Sequence, residues 1–161
     1  MNRDNINRGY GGHKPAPQAQ TSSAIDSLLD KIVFSKESQN LPTDIFSDIA
    51  EKAAEIVSGN KSSNKRTQLR RFYDELAAWN ETVQQNKPAA REAKYKDLEP
   101  VIKMMKAKIV YAKSRGHVDA NFEKLFLRCI NSVNSHETLK YCKLFLEAFM
   151  GYYRYYRPSD N

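Results

Sequence analysis

Lys65, Arg66, Arg70 and Arg71 place four cationic side chains within seven positions. Side chains of this kind at this density suit phosphate: arginine offers a planar fork of donors, lysine a compact mobile charge. Read as a helix at about 100° per residue, Arg66 and Arg70 share one flank. Like charges one turn apart cost about 0.2–0.5 kcal/mol when nothing lies between them. Asp74 and Glu75 stand four positions beyond Arg70 and Arg71 and can neutralise them locally. Lys65 and Arg66 have no acid at i+4, and Lys61 sits in the polar stretch just before them. Uncompensated charge therefore gathers at the helix start, where unpaired backbone N–H groups already favour an anion. A second set, Lys103, Lys106 and Lys113, runs along one flank of a later helical segment, with Lys108 and Arg115 across from it. If the two segments pack side by side, their flanks join into a basic track.

The charge is confined as well as dense. Residues 61–116 carry 14 Lys and Arg against 6 Asp and Glu, whereas residues 1–60 carry 6 against 8. The net charge of +7 thus comes from the middle of the chain. A basic patch restricted to one part of a domain is the electrostatic footprint of a nucleic-acid binder. Catalysis is poorly served by contrast. His13, His117 and His136 fall in a tail, a turn and a helix start, with no paired acid or nucleophile nearby in sequence. No Gly-rich phosphate loop, H-E-x-x-H motif or metal-spaced carboxylate set occurs. The reading is of a binding protein and not an enzyme, with no cofactor and no metal. Cys129 and Cys142 lie inside apolar helical patterns without short-spaced Cys or His partners, which makes them buried free thiols. No apolar run approaches the roughly 20 residues of a membrane span and no signal-peptide h-region opens the chain, so a cytoplasmic protein without membrane contact is expected.

The elements that must position these residues read as helices throughout. Residues 1–22, rich in Asn, Gly, Pro, Gln and Ser, form a tail expected to be disordered, and 23–161 a single helical-bundle domain. Arg8-Gly9-Tyr10-Gly11-Gly12 is a single, weak copy of an Arg/Gly segment. Ser23 reads as the first N-cap, followed by the stripe Ile25, Leu28, Leu29, Ile32 and Val33; Ser35–Asn40 reads as a loop. Thr43 is the expected cap of the next helix, whose buried side is Ile45, Phe46, Ile49, Ala53, Ile56 and Val57 and whose stop is Gly59. Asn64 then caps the basic helix, which buries Leu69, Phe72, Tyr73, Leu76, Trp79 and Val83 and runs to about Gln85. A third long helix spans about Asp97–Arg115, with Pro100 tolerated if it falls in the first turn. Asp119 caps a helix with Phe122, Leu125, Phe126, Cys129, Ile130 and Val133 inward, and Ser135 caps the last, about His136–Tyr156. No strand-like alternation survives, so the expected fold is all-α, a compact bundle of about five to six helices. The last helix is apolar over more than half its circumference, and is either central to the bundle or partly exposed to a partner.

Thr67-Gln68-Leu69-Arg70-Arg71-Phe72-Tyr73-Asp74-Glu75-Leu76 resembles the signature helix of the small subunit of type III-A CRISPR effector complexes. Ile49–Ala54 before it, the Lys-rich third helix and the aromatic Phe149–Tyr156 run also look like that family, over roughly residues 24–157. The Gly- and Asn-rich tail departs from the family pattern. The resemblance implies a non-catalytic helical subunit, present in several stacked copies, that contacts target RNA paired with guide RNA beside the other subunits of an antiviral complex. Carried over by position, Lys65, Arg66, Arg70 and Arg71 are the RNA-binding candidates, with Lys103, Lys106 and Lys113 supported by charge pattern. Because guide pairing reads sequence, such a subunit need only hold backbone. The competing readings are a helix-turn-helix DNA-binding regulator and a helical protein–protein adaptor unrelated to CRISPR. A ribonuclease built on His117 and His136 ranks last.

Overall fold

A computed structural model describes residues 18–34 and 41–159. Within them the chain forms six α-helices and no strand: α1 (Gln18–Leu29), α2 (Ala50–Ser58), α3 (Arg66–Gln84), α4 (Arg91–Ser114), α5 (Ala120–Asn131) and α6 (His136–Tyr156). The tail up to residue 17 and the Ser35–Asn40 loop lie outside the described residues.

The apolar stripes converge on α6, which packs against α2 and α3. Leu139, Cys142, Phe145, Leu146, Phe149 and Tyr153 of α6 are buried, as are Leu69, Phe72, Leu76 and Val83 of α3. Aromatic rings link the helices: Phe72 to Phe126 at 5.1 Å, Phe122 to Phe149 at 5.9 Å and Phe149 to Tyr153 at 5.6 Å between centroids. Such tilted and offset pairs add about 0.5–1.5 kcal/mol each beyond their burial. Cys129 and Cys142 are buried free thiols, and burial pushes the Cys142 thiol well up, helped by a hydrogen bond with Cys129. The last helix is therefore central to the bundle through Tyr153, while Tyr155 on its outer side stays 77% exposed.

Two N-caps stand as their sequences require. Asp119 accepts from the Phe122 N–H at 2.9 Å, and Ser135 with Thr138 closes a capping box on α6. Four other expectations are corrected. Ser23 is no cap, because α1 begins at Gln18 and carries good helix formers, Ala19 and Gln20, through what read as tail. Thr43 is no cap either; a wide turn over Ile45–Ile49 leads into α2, with the Asp44 carbonyl accepting from Ser47 and Ile49. Val33 is exposed while Phe34 turns inward onto Phe145 at 5.9 Å. Pro100 lies deep inside α4 and not in its first turn, since α4 starts at Arg91. The upstream turns are held by buried Tyr95, by Arg91 donating to the Asn86 carbonyl at 3.1 Å, and by Glu92 bonded to His136. Pro100 is exposed, and so is Lys96, the residue whose carbonyl loses its donor four positions on.

Candidate nucleic-acid interface

The basic start of α3 is positioned by Asn64, and not in the way its sequence suggests. Lys65 occupies the N-cap position without a side-chain cap bond. Asn64 is fully buried with φ 59°, a left-handed conformation that asparagine adopts more readily than most residues. Its N–H donates to the His117 carbonyl at 3.1 Å and its Nδ2 to the Val57 carbonyl at 3.2 Å. Its Oδ1 accepts from the Asp119 N–H at 2.9 Å, and its carbonyl accepts from the Tyr153 hydroxyl at 2.6 Å. One residue thus joins the end of α2, the α4–α5 turn and the end of α6.

Arg157, also buried, completes the junction. Its Nη1 donates to the carbonyls of Asn60 at 2.9 Å and Ser63 at 2.7 Å, and its Nη2 to that of Lys61 at 3.2 Å. Burying a guanidinium is costly unless its donors are satisfied, and here the 60–64 loop supplies the acceptors. Neither Asn64 nor Arg157 stands out as functional in the sequence. Asparagine before a basic helix reads as a cap, and arginine after a helix reads as a surface charge.

On this frame Lys61, Lys65, Arg70 and Arg71 are exposed. Arg66 is half-buried and reaches the Pro158 carbonyl at 3.4 Å. Arg70 pairs with Asp74 at 3.5 Å, as its spacing suggests, but both side chains are more than half exposed, which leaves a weak pair and available charge. Glu75 does not turn to Arg71. It accepts from Lys108 of α4 at 2.6 Å, a contact between α3 and α4. Arg71, one turn before Glu75 on the same side, has no ion-pair partner among the described residues.

The two helices run antiparallel, with the His117 carbonyl beyond α4 meeting the Asn64 N–H before α3. The flank of α4 facing α3 is therefore the one bearing Lys108 and Arg115. Lys103, Lys106 and Lys113 lie on the flank toward α5. Lys113 pairs with Glu123 at 2.6 Å. Lys103 donates to the Ile130 carbonyl at 2.9 Å and also to the Val133 carbonyl, closing the C-terminus of α5. Burial, with Lys106 nearby, holds the Lys103 ammonium below its ordinary range. Lys106 is half-buried. Helix adjacency is as sequence order suggests, but the continuous track through Lys103, Lys106 and Lys113 is not formed: the basic surface is one end of the bundle, at the start of α3 and the end of α4.

The two histidines considered for ribonuclease chemistry are kept apart. His136 bonds Glu92 in the first turn of α4 at 2.9 Å, whereas His117 lies just past its far end. At about 1.5 Å per residue the length of α4, about 35 Å, lies between them. Among the described residues no three His, Cys, Asp or Glu side chains group to hold a metal, and no helix is long and apolar enough to cross a membrane.

Fold and surface together define a small all-α bundle with one strongly basic end, built on a junction of buried polar contacts. A family model described as Csm2 Type III-A matches residues 41–159, from just before α2 to just past α6. The chain belongs to that family and is a small subunit of the multi-subunit type III-A CRISPR complex. Neither a curated protein nor a solved structure matches it.

Proposed function

We propose that this subunit is non-catalytic and holds RNA backbone inside the type III-A complex, in the cytoplasm, as part of antiviral defence. The observation that carries this reading is the exposed cation cluster Lys65, Arg70 and Arg71, with Arg66 beside it, on a loop–helix junction fixed by Asn64 and Arg157. A cluster of exposed cations on a fixed backbone suits phosphates, and target RNA paired to guide RNA offers them at regular spacing. The proposed contact set is Lys65, Arg66, Arg70 and Arg71, joined by Arg115, with Lys106, on the flank toward α5, a candidate apart from it. Lys103 and Lys113 are assigned to holding α5.

Several copies of the chain stacking along the complex, beside its other subunits, belong to the same proposal. Met104, Val110 and Tyr111 of α4 are about half exposed or more, and such apolar side chains on one helix suit a neighbouring protein surface.

Replacing Arg66 and Arg70 by Glu in the reconstituted complex tests the reading. Affinity for target RNA should fall at least ten-fold, and equally for unrelated guide–target sequences, because backbone contacts carry no sequence information. Loss confined to one sequence would indicate base readout, and unchanged affinity would place RNA elsewhere.

A further inference from the structure

The C-terminal turns of α6 and the first turn of α2 line an open groove of about 470 Å³, bordered by Glu51, Ala148, Gly151, Tyr152 and Tyr155. It involves none of the RNA-contact candidates. Its floor is Gly151, inside a helix where glycine is a poor choice relative to alanine. Nothing within the protein demands it, since a Cβ added there would meet no atom within 4 Å. What the missing side chain provides is the groove. Its rim is Tyr155, 77% exposed, with its ring against the Tyr156 ring edge-on at 5.2 Å. Tyr156 in turn donates to Glu51 Oε1 at 3.0 Å, so the aromatic rim and the carboxylate are braced against each other before anything binds.

Aromatic faces beside a carboxylate attract a cation and repel phosphate. A planar guanidinium fits such a groove better than an ammonium, because it can stack on a ring and present paired N–H donors to the carboxylate at once. We propose that this groove is a docking site for an arginine side chain of a neighbouring protein subunit, stacked on Tyr155 and paired with Glu51. The site is independent of the RNA-contact reading and stands or falls separately from it.

Amide-resolved NMR of the full chain, titrated with the blocked peptide acetyl-Gly-Arg-Gly-amide, tests this. Saturable shifts are expected at Gly151, Tyr152 and Tyr155, with binding at least ten-fold weaker for the same peptide carrying citrulline, the neutral isostere. Gly151→Leu, a better helix former that fills the floor, should keep or raise the melting temperature and abolish those shifts. Glu51→Gln should weaken binding while its amide oxygen still accepts from Tyr156. Equal binding of the citrulline peptide, an unaltered response in Gly151→Leu, or no shift at these residues would overturn the proposal. So would spermidine or oligouridylate shifting the same residues at equal or lower concentration, since the occupant would then be a free polyamine or RNA.

Discussion

Asn64 carries a left-handed backbone, a donor bond to Val57 and an acceptor bond from Asp119, all without solvent. Asn64→Ala keeps the strained φ and strands the buried Val57 carbonyl and the half-buried Asp119 N–H, so unfolding free energy should fall by about 2–4 kcal/mol. Asn64→Gly relieves the strain but restores neither bond, and should fall between the two in chemical denaturation. Equal stability of all three proteins would mean that the junction does not depend on this residue. Lys65, Arg66, Arg70 and Arg71 are legible because charge density is a local property. The bonds that aim them come from Asn64, Tyr153 and Arg157, and the last two lie some 90 positions downstream of the first, where no local pattern connects them.

At the scale of elements, α5 and α6 follow from apolar periodicity and their capping residues and α3 from its apolar stripe alone, whereas the start of α4 follows from neither. Its upstream turns are held by Tyr95 and by the Glu92–His136 contact with α6, tertiary interactions that override a proline in the helix interior. Pro100→Ala should therefore restore a backbone hydrogen bond on an exposed face and raise stability by up to about 3 kcal/mol, read as an increase in melting temperature. A lower melting temperature would show that the proline bend is needed for packing. The α4–α6 contact also makes stability depend on acid. Burial pushes the Glu92 carboxyl up, but hydrogen bonds from His136 outweigh this and hold it below the usual 4.5. Glu99 is held below 4.5 likewise, burial being outweighed by bonds from Lys96 and Tyr95. Carboxyls with lowered folded values bind fewer protons folded than unfolded near that pH, so their contribution is present above about pH 4.5 and is lost as pH falls through the folded values. Denaturation midpoints should drop on acidification below pH 4.5, and less so in Glu92→Gln, which is already weakened at neutral pH. An acid dependence identical in both proteins would remove Glu92 from this account.

For the molecule as a whole, the RNA-contact candidates and the residues lining the aromatic groove are separate sets. The fold class was readable from the absence of any strand pattern, and the family from the Thr67–Leu76 motif. The placement of the basic surface was not, because it depends on which flank of α4 meets α3, an outcome of tertiary packing that brings Lys108 to Glu75 across 33 positions. The central claim is that the start of α3 holds RNA by its phosphates. Its most direct test is the salt dependence of target-RNA affinity in the assembled complex, with this subunit wild type or carrying Lys65→Gln and Arg71→Gln. If this end neutralises about four phosphates of a single strand, its share of the slope of log K against log salt is near −3. Removing two of those contacts should make the slope shallower by about 1.4, with affinity converging at high salt. An unchanged slope, or loss of affinity independent of salt, would contradict the account.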